Sequence, residues 1–379
     1  MLFYSSRLAI GALLIGVGLG AGQAHAADAD QVAKALVAAF EANGKAQASY
    51  ASAAADGDEV TIKEFKVTGD GDTMTVPEVV INGAEPRDKG GFTAKSMTVD
   101  GGTIETTEPS TIKWETAEIT DATVPSPAEI KAKSHNMSPF GKVTVGKIDI
   151  SGGGLAAPID IDDVDATVTV DGDGTPNSFA TNVNGIKVPP ALMNDPQQTA
   201  ILTALGYTDG FNVSITLDGS YEHATNTVTL RSFTIEAADV GKLAIDGKVS
   251  GVPLSSLGDS SAASEIKTKG KLESFHLRFD NAGVVEKVLD MQAQQAGMKR
   301  ADIVSQFTGA LPLLLNFIGN EAFQGKIATA VTTFLNDPKS ITLTAAPSAP
   351  VGFDAISKAV GDAPQTVPDL VGADITANN

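Results

Sequence analysis

Residues whose types and spacing could support chemistry are few and scattered. Beyond the N-terminal segment the histidines are His135, His223 and His276, and no two form the His-x-His or His-x-x-x-His pair that places two imidazoles on one metal. Each reads as an ordinary loop or strand residue. Asp171-Gly172-Asp173-Gly174 opens like an EF-hand loop, yet Pro176 stands where that loop needs glycine and Asn182 where it needs a bidentate glutamate. Flanked by Val168 and Val170, the Asp-Gly pairs read as a hairpin turn, and Gly69 to Asp72 read the same way. Asp160, Asp162, Asp163 and Asp165 are dense, but they interleave with Ile159, Ile161 and Val164 as the solvated face of a strand would.

Nucleophilic chemistry fares no better. No Gly-x-Ser-x-Gly elbow occurs, and the nearest approach, Gly258-Asp259-Ser260-Ser261, sits in a polar segment without a strand-to-helix context. Every Gly-Lys pair lacks the Ser or Thr of a phosphate-binding loop, and there is no dinucleotide fingerprint. A single tryptophan, Trp114, leaves little aromatic platform for a sugar. The sequence therefore assigns no catalytic, cofactor-binding or metal-binding residue, and the expectation is a protein that is not an enzyme and carries no cofactor. An acidic, calcium-dependent hydrolase is the weakest alternative.

Compartment is the firmest expectation. Arg7, the apolar stretch from Leu8 to Gly22 and Ala24-His25-Ala26 have the three parts of a cleavable export signal, residues 1–26. The apolar stretch is short for a membrane-spanning helix and interrupted by glycines. No cysteine follows it that could be lipidated. Cleavage removes Arg7 and no acidic residue, so the net charge of -19 becomes -20. Nucleic acid and anionic headgroups are disfavoured partners. With no cysteine, stability in an oxidising compartment rests on a core alone. The expectation is a periplasmic or secreted protein with no transmembrane anchor after cleavage. Leu311 to Ile318, the most apolar later stretch, is too short to span a bilayer.

The elements that must position any site fall into blocks. Residues 27–58 hold a helix over Asp30 to Asn43, with Val32, Leu36 and Phe40 on one face and Gly44 after its end, then a linker from Ala46 to Asp58. In residues 59–190 an eight-residue pattern recurs, apolar at its first, third, sixth and eighth positions. It reads VTIKEFKV from Val60, MTVPEVVI from Met74, MTVDGGTI from Met97, IKWETAEI from Ile112, VTVGKIDI from Val143 and IDIDDVDA from Ile159. Each unit slips by one residue at its centre while keeping its apolar side chains on one face, as a β-bulge would arrange. Asp100-Gly101-Gly102 is the one centre that suggests a turn.

Residues 191–280 read as a helix capped by Asp195, with Ile201, Leu202 and Leu205 facing inward, followed by a meander over Phe211 to Tyr221, Thr225 to Ala237 and Lys242 to Gly251. A polar loop from Asp259 to Ser264 and a strand from Lys271 to Phe279 complete the block. Residues 281–379 read as helices capped by Asn281 and Asn320, one between them broken at Pro312, a strand at Ile341 to Leu343 and two helical turns near the end. The fold class is α+β, mainly β: strongly curved antiparallel sheet with repeated bulges, an N-terminal helix and a C-terminal helical region.

The repeated apolar units behind an export signal resemble the β-rich grooves of AsmA-like and TamB-like envelope proteins. Tyr221 to Pro253, with Val228, Leu230, Phe233, Gly241, Leu243 and Gly247, resembles secreted alphaproteobacterial proteins of no assigned activity, and Leu272 to Met298 and Asn336 to Leu343 continue the likeness. The resemblance implies lipid handling or envelope homeostasis, and it carries over no catalytic residue. The expected function is thus an envelope protein that binds a lipid or other apolar ligand on a curved sheet. The alternative is a structural module that binds an envelope protein partner.

Overall fold

The computed structural model describes residues 28–132, 140–171, 175–193, 195–253 and 263–379. Residues 1–26, read as an export signal, and His135, Asp173 and Gly258 to Ser261 lie outside these residues. The chain divides into two compact units, 1–194 and 195–379. Both are built on antiparallel strands, so the mainly β, α+β class read from the sequence holds, with helices at the N-terminus and in the C-terminal region.

The first unit opens with α1 (Ala29–Glu41). Asp28 caps it, its carboxylate accepting the backbone N–H groups of Asp30 and Gln31, and Val32, Ala33, Leu36 and Ala39 are buried along one face. The segment expected as a linker instead forms β1 (Ala46–Ser49) and β2 (Ser52–Asp56), both paired to β3 (Glu59–Gly69). Their inward residues Ala46, Ala48 and Ala53 pack against the core but are too small to stand out as an apolar row in the sequence. The unit continues through β4 (Asp72–Asn82), β5 (Glu85–Pro86), β6 (Gly91–Glu105), β7 (Ser110–Pro125), α2 (Pro127–Lys131), β8 (Lys142–Gly152), β9 (Ile159–Val170) and β10 (Pro176–Val188). Pairing runs β3-β4-β6-β7-β8-β9-β10, with β5 on β6.

The phase slip is real, and its geometry is more specific than a row of independent bulges. In β3 the buried residues are Val60, Ile62, Phe65 and Val67; in β4 they include Met74, Val76, Val79 and Ile81. Yet β3 and β4 keep one register on both sides of the slip: Lys63 faces Glu78 and Phe65 faces Val76, while Glu64 and Pro77 between them are unpaired. The same holds for Gly101 with Glu115, Glu115 with Lys147, and Lys147 with Asp162. Neighbouring strands therefore slip together, along a crease that crosses the sheet through Glu64, Pro77, Gly101, Glu115, Lys147, Asp162 and Gly185. Every second strand makes the slip with a left-handed residue: Glu64 (φ 52°), Gly101 (75°), Lys147 (47°) and Gly185 (64°). Asp100-Gly101-Gly102 is consequently no turn; β6 runs straight through it. In the long strands β6 and β7 a second slip falls at Lys95 and Asp121, the latter at φ 50°. Inward pairs there recur every fifth residue, as Ile112/Trp114, Ala117/Ile119 and Ala122/Val124 do.

In the second unit, α3 (Pro196–Ala204) is capped by Asp195 as expected. Ile201 does not face inward, however; it is 49% exposed. A nine-residue helix offers too little length to bury two faces, and the neighbouring Tyr207 is the residue that anchors the segment, buried and donating its hydroxyl to the Asp239 carbonyl at 2.8 Å. The meander is β11 (Phe211–Glu222), β12 (Thr227–Ala237) and β13 (Gly241–Ser250). Register shifts occur here, leaving Arg231 and Glu273 as extra residues. The described end of the expected polar loop, Ser264, lies in α4 (Ala263–Lys269), which leads into β14 (Lys271–Asn281).

Then come α5 (Val284–Ala296), α6 (Arg300–Leu315) and α7 (Glu321–Asn336). The Asn281 carboxamide accepts the N–H groups of Gly283 and Val285, and Asn320 accepts that of Phe323. The helix between them is not broken at Pro312. Proline costs one intrahelical bond, and the leucines on both sides, strong helix formers, carry the helix past it to Leu315 and a 3-10 turn ending at Ile318. The final stretch adds β15 (Ser340–Ala345), β16 (Val351–Gly352), α8 (Phe353–Asp362), α9 (Val367–Leu370) and β17 (Ala373–Ala377). Three strands stand where one was expected, because β16 is two residues long and β17 is held to β15 by pairing around a single large apolar residue, Ile375 opposite Leu343.

Candidate functional site

An apolar hollow lies in the first unit, between α1 and the sheet. Leu36 and Phe40 close it from the helix; Phe65, Met74, Met97, Trp114, Ala117 and Val124 line it from β3, β4, β6 and β7. The Phe40 and Phe65 rings meet at 5.5 Å. The hollow measures about 80 Å³, room for a few small groups. Trp114 is 8% exposed, and its indole Nε1–H is the buried side-chain donor left without a partner among the described residues. A glycine makes room for the ring: Gly102 faces Trp114 across β6 and β7, and a Cβ there would lie 2.0 Å from the indole.

Beyond this hollow the same sheet face stays apolar. α1 packs on β1, β2, β3, β6 and β7. Trp114 faces Ile148 on β8, which faces Ile161 on β9, while Ala117, Val145, Val164 and Val183 form the next row across to β10. From β8 onward Val145, Ile148, Ile150, Ile161, Val164, Val183 and Ile186 are only partly buried. The crease fixes this face: without it, the residues beyond each slip would point to the other side of the sheet.

The opposite face is polar and internally paired. Asp162 meets Lys187 at 2.8 Å, Asp163 accepts the Asn184 amide at 2.7 Å, and Asp165 accepts the Thr144 hydroxyl at 2.7 Å with Lys142 at 3.3 Å. The Thr144 hydrogen bond, helped by Lys142, holds the Asp165 carboxyl below its ordinary value. Adjacent Asp162 and Asp163 share this face because both sit at the slip, which accounts for the density of the acidic run. Asp171 ends β9, with Thr175 accepting its N–H group through the carbonyl at 2.8 Å, as a hairpin connection would have it. At the other Asp-Gly turn, Asp70 (φ 51°) and Gly71 (φ 90°) join β3 to β4, and Asp72 accepts the Thr107 N–H at 3.0 Å.

Of the histidines, His223 packs edge-on against Tyr221. His276 Nδ1 lies 2.7 Å from Asp246 Oδ1 on the neighbouring strand, with Thr344 at the cross-strand position on its other side. No hydrogen bond joins His276 to Thr344 among the described residues, and the pair stands half-exposed on a sheet rather than in a cleft, an arrangement that serves strand pairing. No group of three or more metal-binding side chains converges among the described residues.

Among the described residues the most enclosed ion pair is Arg87 with Glu129, bidentate at 3.0 and 2.9 Å and with side chains 13% and 14% exposed. Burial alone would raise the Glu129 carboxyl. Arg87 and the Ser126 N–H and hydroxyl outweigh burial and hold it below its ordinary value. Glu129 thereby also completes the capping box of α2.

A family model described only as an uncharacterized protein matches residues 234–378, from β12 through β17. No curated protein matches the chain.

Proposed function

We propose that this chain is a non-catalytic protein of the cell envelope that holds the acyl part of a lipid against the apolar sheet face of its first unit. The observation that carries this reading is the run of partly exposed Val and Ile side chains on β8, β9 and β10, adjoining the hollow beside Trp114. From Val143 to Ile150 that face is about 23 Å long, at about 3.3 Å per residue. One leaflet's acyl length, about 15 Å, fits along it. Each buried methylene contributes about 0.8 kcal/mol. The apolar character of the N-terminal segment, with its export-signal pattern, supports the envelope as the place where such a ligand is met.

The lone tryptophan supplies the test. A stearic acid brominated at mid-chain should quench Trp114 saturably, and Ile161→Asp, placed beside Ile148 on the same face, should weaken that quenching at least tenfold at unchanged thermal midpoint. Emission indifferent to the brominated acid would refute acyl binding on this face.

A further inference from the structure

The second unit carries a different apolar surface. Of seven large apolar side chains exposed among the described residues, four lie on α6 and the 3-10 turn that continues it: Phe307, Leu313 (81% exposed), Leu314 and Phe317 (82%). Nothing charged lies between Asp302 and Glu321. The beginning of α6 is anchored, since Ile303 and Val304 are buried against Leu289 and Ala293 of α5. Past that point Thr308, Leu311, Leu315 and Ile318 stay half-buried along one side, and the other side is exposed. Arg300 to Ile318 forms a 19-residue helical run, and an 18-residue window within it has a mean hydropathy of 1.3 and is only 11% buried, long and apolar enough by length and composition to cross a membrane. The reading of Leu311 to Ile318 as an isolated short stretch is corrected by this, because the helix passes Pro312.

The distribution of these side chains selects the environment. Phe307 and Leu314, seven residues apart, share one stripe; Leu313 and Phe317, four apart, form another about 100° around the helix. Together they cover one arc about 120° wide, and no charged residue lies anywhere from Ile303 to Asn320, a composition that suits hydrocarbon. Length then decides how deep it goes. Phe307 to Phe317 covers about 15 Å, half of a hydrocarbon core of about 30 Å. Spanning would tear Ile303 and Val304 from the helical core, so one leaflet is the reach. A net charge of -19 disfavours anionic headgroups.

We infer that the end of α6 inserts into one leaflet of a bilayer with zwitterionic headgroups. This surface is independent of the sheet face in the first unit, and its test separates the two. The full chain, recovered as the cell leaves it, should float with phosphatidylcholine vesicles. Leu313→Asp with Phe317→Asp, both at strongly exposed positions, should cut the bound fraction at least tenfold, keep the thermal midpoint and keep the quenching of Trp114 by brominated stearic acid. In a Trp114→Phe background, Phe317→Trp should shift to shorter wavelength with these vesicles and be quenched by acyl-brominated phosphatidylcholine. Replacing part of the phosphatidylcholine with phosphatidylglycerol should weaken binding. Absence of flotation, equal flotation of the double variant, or a wild-type dimer that the double variant abolishes would overturn the inference, the last by showing that a second copy covers the surface.

Discussion

Replacing Gly102 with alanine tests the packing of the hollow at its tightest point. The new Cβ would stand 2.0 Å from the Trp114 ring, where ordinary contact begins near 3.4 Å, so the indole must retreat by about 1.4 Å. The backbone offers no relief, because β6 is paired on both sides, to β4 and β7. Overpacking of this kind costs about 1–3 kcal/mol. The adjacent hollow lets the ring swing aside, which places the expected cost near 2 kcal/mol and the thermal midpoint about 4–8 °C lower for a unit of this size. Urea unfolding followed by Trp114 emission reads the cost and a thermal scan of the same emission reads the midpoint, since no other tryptophan contributes. Followed by circular dichroism, because the change removes the one tryptophan, Trp114→Leu in the alanine background should return at least 1 kcal/mol relative to the same change in the wild type, a coupling expected of side chains in contact. An alanine variant with wild-type midpoint and wild-type emission would show that the ring does not rest on Gly102, and the account of the hollow would fall with it.

Glu129→Gln should destabilise the first unit by about 2 kcal/mol at neutral pH, below the ~3–5 kcal/mol for breaking a fully buried pair, measured by denaturant midpoint. The folded carboxyl lies below its unfolded value, so its contribution is complete above the ordinary carboxylate range and fades as pH falls through the folded value. The wild-type advantage over Glu129→Gln should therefore shrink in acid; an advantage constant down to low pH would contradict the pairing. At the crease, Lys147→Gly should be within about 0.5 kcal/mol of wild type: relief of the left-handed backbone, about 1 kcal/mol, is offset by glycine's unfolded freedom and an exposed ion pair with Glu115. Lys147→Val should be less stable than Lys147→Gly by about 2 kcal/mol, and equal midpoints would remove the left-handed residue from the explanation of the slip.

Asp195, Asn281 and Asn320 made their helices legible, because each acts within a few residues of its targets, and α1 was legible from the spacing of Val32, Leu36 and Phe40; α2, though capped by Ser126, was not, because five residues carry no apolar period. The sequence also showed the slip, since Val60, Ile62, Phe65 and Val67 leave their spacing in the chain. What the spacing could not show is that Glu64 and Pro77 slip together: register belongs to a pair of strands, and either strand alone is compatible with a bulge. The strands β1 and β2 escaped because their inward residues are alanines, and β16 and β17 because they are short. Pro312 misled in the opposite direction, as a local helix breaker overruled by the leucines around it. Of the candidate surface, the Val and Ile rows were visible, but the Gly102–Trp114 contact had only one faint sign, a glycine in an inward position of an apolar strand.

The alternation of left-handed residues from strand to strand along the crease constrains how a sheet of this kind can grow. Loss of a single strand would bring two left-handed residues side by side, or two extended ones, and the shared slip would fail at that junction. Loss or duplication of two consecutive strands restores the alternation. The heritable module is thus the hairpin, and chains descended from a common ancestor should differ in this sheet by even numbers of strands, each gained or lost as a self-consistent pair.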